Sequence, residues 1–225
     1  MKKKIIIIVV SLGLLSIIGF LGFKWYLNSH KAGSEVVPSD TETNGVVDST
    51  TSGVELDSFD HLMGTYSSTK EDPPTSEVTF ETYGTTATTG IFRNVNVEAS
   101  FIESMQVSLK VKIESSSIFS NESTRDEHLK GDGFFNVSKF TDIIFESTEI
   151  IKGDTSYVAK GNISMLGTSK VIEVPFIYKG SALGKENVEV FEGKFEINPT
   201  KHGLGDDAGE KVTIGFYTEL KLNNN

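Results

Sequence analysis

Val107-Ser108-Leu109-Lys110-Val111-Lys112-Ile113 alternates apolar and polar residues without a break, and that period of two sets the fold class. Successive side chains of an extended chain point to opposite faces, so the stretch reads as a half-buried strand. Val212, Ile214, Phe216, Leu220 and Leu222, interleaved with Lys211, Thr213, Glu219 and Lys221, repeat the pattern near the other end of the chain. The register predicts that Val107, Leu109, Val111, Ile113, Val212, Ile214 and Phe216 face inward, and that Lys110, Lys112 and Thr213 face water. Weaker versions run from Val78 to Tyr83, Gly90 to Phe101, Phe140 to Ile151, Tyr157 to Met165, Val171 to Tyr178 and Val188 to Ile197, with a first strand near Met63 to Thr69. These make about nine candidates, some of them parts of one long bent strand. Turn signals at Lys152-Gly153-Asp154, Leu166-Gly167-Thr168, Lys179-Gly180-Ser181 and from Gly203 to Gly209 separate them. Strands so closely spaced favour an antiparallel all-β barrel or sandwich over a parallel α/β fold.

Composition agrees. Of 225 residues 37% are hydrophobic and 23% charged, enough for one core. There is no cysteine, which excludes disulfides, thiolate chemistry, Cys-based zinc sites and a lipid-modified cysteine. The net charge is −10, yet the first thirty residues hold Lys2, Lys3, Lys4 and Lys24 and no acid, so the remainder carries −14. An acidic body repels phosphodiester backbones, and nucleic acid is excluded as a partner. The four histidines, His30, His61, His128 and His202, have no ligand spacing, so no metal site is expected.

Lys2, Lys3 and Lys4 precede an uncharged run from Ile5 to Phe23. Its 19 residues would span roughly 28 Å as a helix, close to the thickness of a bilayer core. Residues 1–27 therefore read as an N-terminal transmembrane helix or signal segment, with Trp25 and Tyr26 at the far interface and everything beyond outside the cytoplasm, periplasmic or on the cell surface. If the segment is cleaved, the protein is secreted. Residues 28–60, rich in Ser, Thr, Asp and Gly, read as a disordered tether, and residues 61–225 as the β domain.

Ser115 to Ser138 is the one long stretch of that domain without strand alternation, and a structured excursion of this kind is where a binding rim would sit. It contains Ser117-Ile118, a polar spacer, Arg125-Asp126-Glu127-His128-Leu129, and Asp132 followed by Phe134-Phe135. With Thr89-Gly90-Ile91-Phe92 before it, and Ile143 to Ser147, Gly161 to Ser164, Gly167 to Lys170 and Gly193-Lys194-Phe195 after it, the pattern resembles the YceI-like family over roughly residues 63–222. The resemblance implies a lipocalin-like antiparallel β-barrel of about eight strands with a short helical excursion, closed around an elongated apolar channel. It also implies an isoprenoid lipid or quinone as ligand, and no other cofactor. Where many members place polar or basic head-group residues, this chain has Thr85-Thr86, Leu166 and Ile197-Asn198-Pro199, so the channel carries over and those contacts do not.

Arg125, Asp126 and His128 bring acid, base and imidazole within four residues but lack a nucleophile with a positioned base, so no enzyme is expected. Two readings remain. Arg125 presents its donors to a polar head group at the barrel mouth, or Asp126 caps a short helix from Glu127 to Gly131 and Arg125 ties the excursion to the barrel. The 15 Phe residues form either a pocket wall or a packed core. The resemblance favours a wall made by Phe80, Phe92, Phe101, Leu109, Phe145, Phe176, Phe195 and Phe216, with Phe134 and Phe135 at the mouth. The expected function is binding, carriage or sensing of an apolar isoprenoid-type lipid by a membrane-tethered barrel. The alternative is an envelope scaffold or adhesion domain whose barrel is filled by side chains.

Overall fold

The computed structural model describes residues 58–69, 74–82, 87–103, 106–154 and 156–224, all within one unit, Gly53–Asn225. The transmembrane segment expected over 1–27 and the tether up to residue 57 lie outside the described residues. Among the described residues the strands are β1 (Gly64–Ser68), β2 (Ser76–Thr82), β3 (Thr88–Phe92), β4 (Val95–Glu103), β5 (Gln106–Glu114), β6 (Ile118–Phe119), β7 (Asp142–Lys152), β8 (Tyr157–Met165), β9 (Thr168–Ser181), β10 (Val188–Ile197) and β11 (Val212–Leu222), with one α-helix, α1 (Ser123–Lys130). Every pairing is antiparallel.

Three barrel strands are broken. β1 and β2 run in line along β11, with Tyr66 opposite Leu222 and Ser76 opposite Thr218. β3 and β4 continue one another along β2 and β1, and β5 and β6 along β4 and β3. Eight barrel strands result, each beside its neighbour in sequence, and β1 on β11 closes the ring. Closure through β1 and β11 leaves only the two-residue β6, paired with β3 alone, as a free strand edge among the described residues. The short β6 corrects the expectation that Ser115 to Ser138 holds no strand, two residues being too few to show a period.

Register separates the two ends. The mouth, where Thr82 meets Val212, carries the excursion with α1, the β8–β9 turn and the segment between β10 and β11. Leu166 and Gly167 in that turn both have positive φ, 52° and 75°, as a two-residue hairpin on right-twisted strands requires. The floor is where the chain reaches β1 through Phe59 and Leu62, both buried. Composition had assigned Phe59 to the tether. Its ring instead packs against Phe101, Tyr157, Phe176, Tyr178 and Phe191, so the folded domain starts before residue 61.

Lys110 and Lys112 are exposed, as alternation predicts, whereas Thr213 is only 5% exposed. Thr213 stands on the outer face between its registered neighbours Glu81 and Glu196. Lys211, two residues away on the same face, closes onto Glu196 at 2.6 Å. A short side chain among long ones is covered without turning inward.

Gly161 marks a close approach. It lies opposite Ser147, beside the register shift between Ser147 and Glu149, and a Cβ there would stand 2.3 Å from the Glu146 carbonyl oxygen and 2.7 Å from Ser147 Cα. Backbone cannot give way as a side-chain tip does, so Gly161→Ala is expected to cost about 2–3 kcal/mol. Gly133, whose Cβ would meet nothing within 4 Å, is the control: Gly133→Ala should leave the urea midpoint near that of the parent.

Candidate functional site

The inward faces of the strands enclose a cavity of about 240 Å³. By a measure in which roughly 10–15 Å³ admits one water, that is room for many. It is bounded near the floor by Phe59, Phe101, Phe176 and Phe191, along the bore by Leu109, Val111, Phe145, Ile163 and Phe216, and at the mouth by Leu129, Phe134, Phe135 and Leu204. Val107, Ile113, Val212 and Ile214 face it as the alternation predicts, and so do the small residues Ala99 and Ala159.

Its wall offers almost nothing to water. The buried hydroxyls of Ser76 and Thr218 bond to each other, and among the described residues no buried side-chain nitrogen or oxygen lacks a partner. A water inside would give up hydrogen bonds without recovering them, whereas hydrocarbon would lose nothing. The arrangement favours an apolar occupant.

Of the residues singled out from sequence, Phe80, Phe92, Phe101, Leu109, Phe134, Phe135, Phe145, Phe176, Phe195 and Phe216 all border the cavity. Arg125, Asp126 and His128 do not; they lie on α1 at the mouth. The helix is not capped by Asp126. The Glu122 side chain accepts from the backbone N–H of Arg125 at 2.6 Å and of Thr124 at 3.0 Å, and these bonds hold its carboxyl below the usual range. Asp126 is buried and accepts instead from the backbone N–H and hydroxyl of Ser120, at 2.7 and 2.6 Å. That pair anchors the helix to the chain leaving β6 and frees α1 to start at Ser123. His128 is exposed, its ring edge-on to Phe134 with centroids 4.9 Å apart. The helix residue that reaches the cavity is Leu129.

Sequence reasoning missed Phe59, Leu129, Leu204 and the floor behind Phe59. There Tyr178 donates to the buried Glu189 at 2.5 Å, and the Ser181 hydroxyl lies 3.1 Å from both carboxylate oxygens. Burial first, and then the bond to Glu189, pushes the Tyr178 phenol well above its ordinary range.

His202, in the 3₁₀ turn Pro199–His202 at the mouth, is 7% exposed. Burial, and after it the charges of Lys170 and Lys201, lower its pKa. The unfolded chain therefore binds this proton more tightly than the folded one. The contribution is complete above the unfolded value near 6.5 and is lost as pH falls through the lower folded value, at no more than about 1.4 kcal/mol per pH unit. His202→Gln is expected to remove this step, which urea midpoints at about pH 7.5 and about pH 5 would register.

The family model for the YceI-like domain matches residues 70–220. A UPF0312 protein of Yersinia pestis (strain Pestoides F) is 39% identical over 90 residues, 40% of this chain and 46% of that protein. Another, from Azotobacter vinelandii, is 31% identical over 125 residues, 53% and 65% of the two chains. The chain thus spans about half to two thirds of the length of these relatives. Among solved structures, the YCEI protein of Campylobacter jejuni superposes with a TM-score of 0.56 at 21% identity, covering 64% of this chain and 90% of that one. A polyisoprenoid binding domain from Saccharophagus degradans gives 0.55 at 11%, covering 72% and 100%. At these identities the structural likeness is one of fold.

Proposed function

Because the chain belongs to the YceI-like family, we propose that its barrel binds an elongated apolar lipid, an isoprenoid chain or isoprenoid quinone, and carries or senses it without chemical turnover. The observation that carries this reading is the cavity itself, about 240 Å³ bounded from floor to mouth mainly by aliphatic and aromatic side chains, with Ser76, Glu77, Thr82 and Thr218 the polar residues beside them. A scaffold with a side-chain-filled barrel would leave no such space. The polyisoprenoid binding domain of similar fold adds support. The uncharged run Ile5 to Phe23 behind Lys2-Lys3-Lys4 would hold the barrel on the outer face of the membrane that contains its ligand.

Organic extraction of the purified full-length chain, followed by mass spectrometry, tests the proposal. Recovery of an isoprenoid lipid in near-equal amount to protein is expected. A barrel that comes out empty and then takes up none of a series of added polyprenols would sink it.

A further inference from the structure

The lower end of the cavity is closed by a side chain that no barrel strand supplies. Phe59 reaches in from the segment ahead of β1 and is 2% exposed. A backbone hydrogen bond from Leu62 N–H to the Phe59 carbonyl, 2.9 Å, sets the turn that aims it inward. Its ring has two sets of neighbours. Phe101, Phe176 and Phe191, with centroids 5.7, 6.2 and 6.2 Å away, border the cavity with it. Tyr157 at 4.4 Å and Tyr178 at 6.1 Å are outside the cavity wall, and Tyr178 leads on to the buried Glu189. Phe59 therefore stands between a hydrocarbon bore and a polar floor.

We infer that Phe59 is the end-stop that sets the longest chain the barrel accepts, a specificity-determining residue contributed by the lead-in segment rather than by the wall. The inference rests on the apolar-chain reading above. A chain entering at the mouth gains affinity with each methylene buried until its end meets the Phe59 ring. A longer chain must leave its excess in water at the mouth, or drive the ring toward Tyr178 and Glu189. The second course sets hydrocarbon against a buried carboxylate and strips it of donors, so the ring holds and length is limited. Removing the ring lengthens the bore without touching a strand.

The test loads the delipidated full-length protein with linear polyprenols of stepwise increasing length and measures by mass spectrometry which homologues stay bound after gel filtration. The parent should show a length cut-off. Phe59→Ala should move it to longer homologues, those just past the parent's limit gaining about tenfold in affinity, the worth of roughly two further buried CH₂ groups. Phe59→Leu should move it less and Phe59→Trp should shorten it, and these two carry the test if the alanine variant does not fold. A cut-off that stays in place in folded variants, or an equal loss of all homologues, overturns the end-stop alone. A parent that retains no homologue overturns the apolar-chain reading with it.

Discussion

Ile214→Lys is expected to cost about 3–5 kcal/mol of folding stability, and Ile113→Lys a similar amount, through a buried charge without a partner. Ile214 borders the cavity and lies opposite Phe80 on one side and Phe195 on the other. Ile113 has the same setting between Val95 and Ile143. The registered neighbours of both positions are apolar and supply no carboxylate to meet the ammonium. The loss should shrink as pH rises toward the ordinary lysine value near 10.4, because burial lowers the folded pKa and the neutral amine is the form the interior tolerates. Lys110→Glu is the control from the other face of β5. Its ion pair with Glu146, 2.7 Å long, is more than half exposed on both sides, and such pairs contribute little. Lys110→Glu sets a third carboxylate between the registered Glu98 and Glu146 on the exposed face, so its urea midpoint should fall slightly, while those of the two lysine variants fall far below it. Equal tolerance on both faces would reject the register.

That contrast was legible in the sequence because alternation is a local property of the chain. The bounds read for Tyr157 to Met165 and Val188 to Ile197 are those of β8 and β10. What alternation does not show is where a ladder breaks. The gap between β1 and β2 is announced by Pro73-Pro74, but β3 passes into β4 at Arg93-Asn94 inside the stretch read as one strand from Gly90 to Phe101, with no change of period to mark it. The helix cap escaped for a related reason. Ser, Asp and Asn outrank Glu as caps, yet in the stretch from Asn121 to Asp126 it is Glu122 that reaches two N–H groups while Asp126 is taken by Ser120. Phe59 was hidden by averaging, one aromatic at the end of a polar stretch. Its role exists only through rings such as Phe176 and Phe191, which lie more than a hundred residues later in the sequence.

Ala159→Phe is expected to act in opposite directions on the empty and the loaded barrel. Ala159 is fully buried, lies opposite Ile150 and Val174 on the neighbouring strands, and borders the cavity near its lower end with Ala99. A ring there enters space that a ligand would otherwise fill. In a side-chain-filled core the added ring would be overpacked and cost about 1–3 kcal/mol. Here it gains apolar contacts in a void, so the ligand-free variant should melt no lower than the parent. The loaded state should suffer instead. Excluding about four CH₂ groups from the bore is worth roughly 3 kcal/mol, or about two orders of magnitude in affinity, for chains long enough to reach that depth. Short chains that end above Ala159 should bind as before. Thermal melts of delipidated protein, together with binding of a short and a long polyprenol, separate the two effects. If the ligand-free variant is destabilised like any overpacked core and long chains bind unchanged, the space beside Ala159 is not part of the ligand's path.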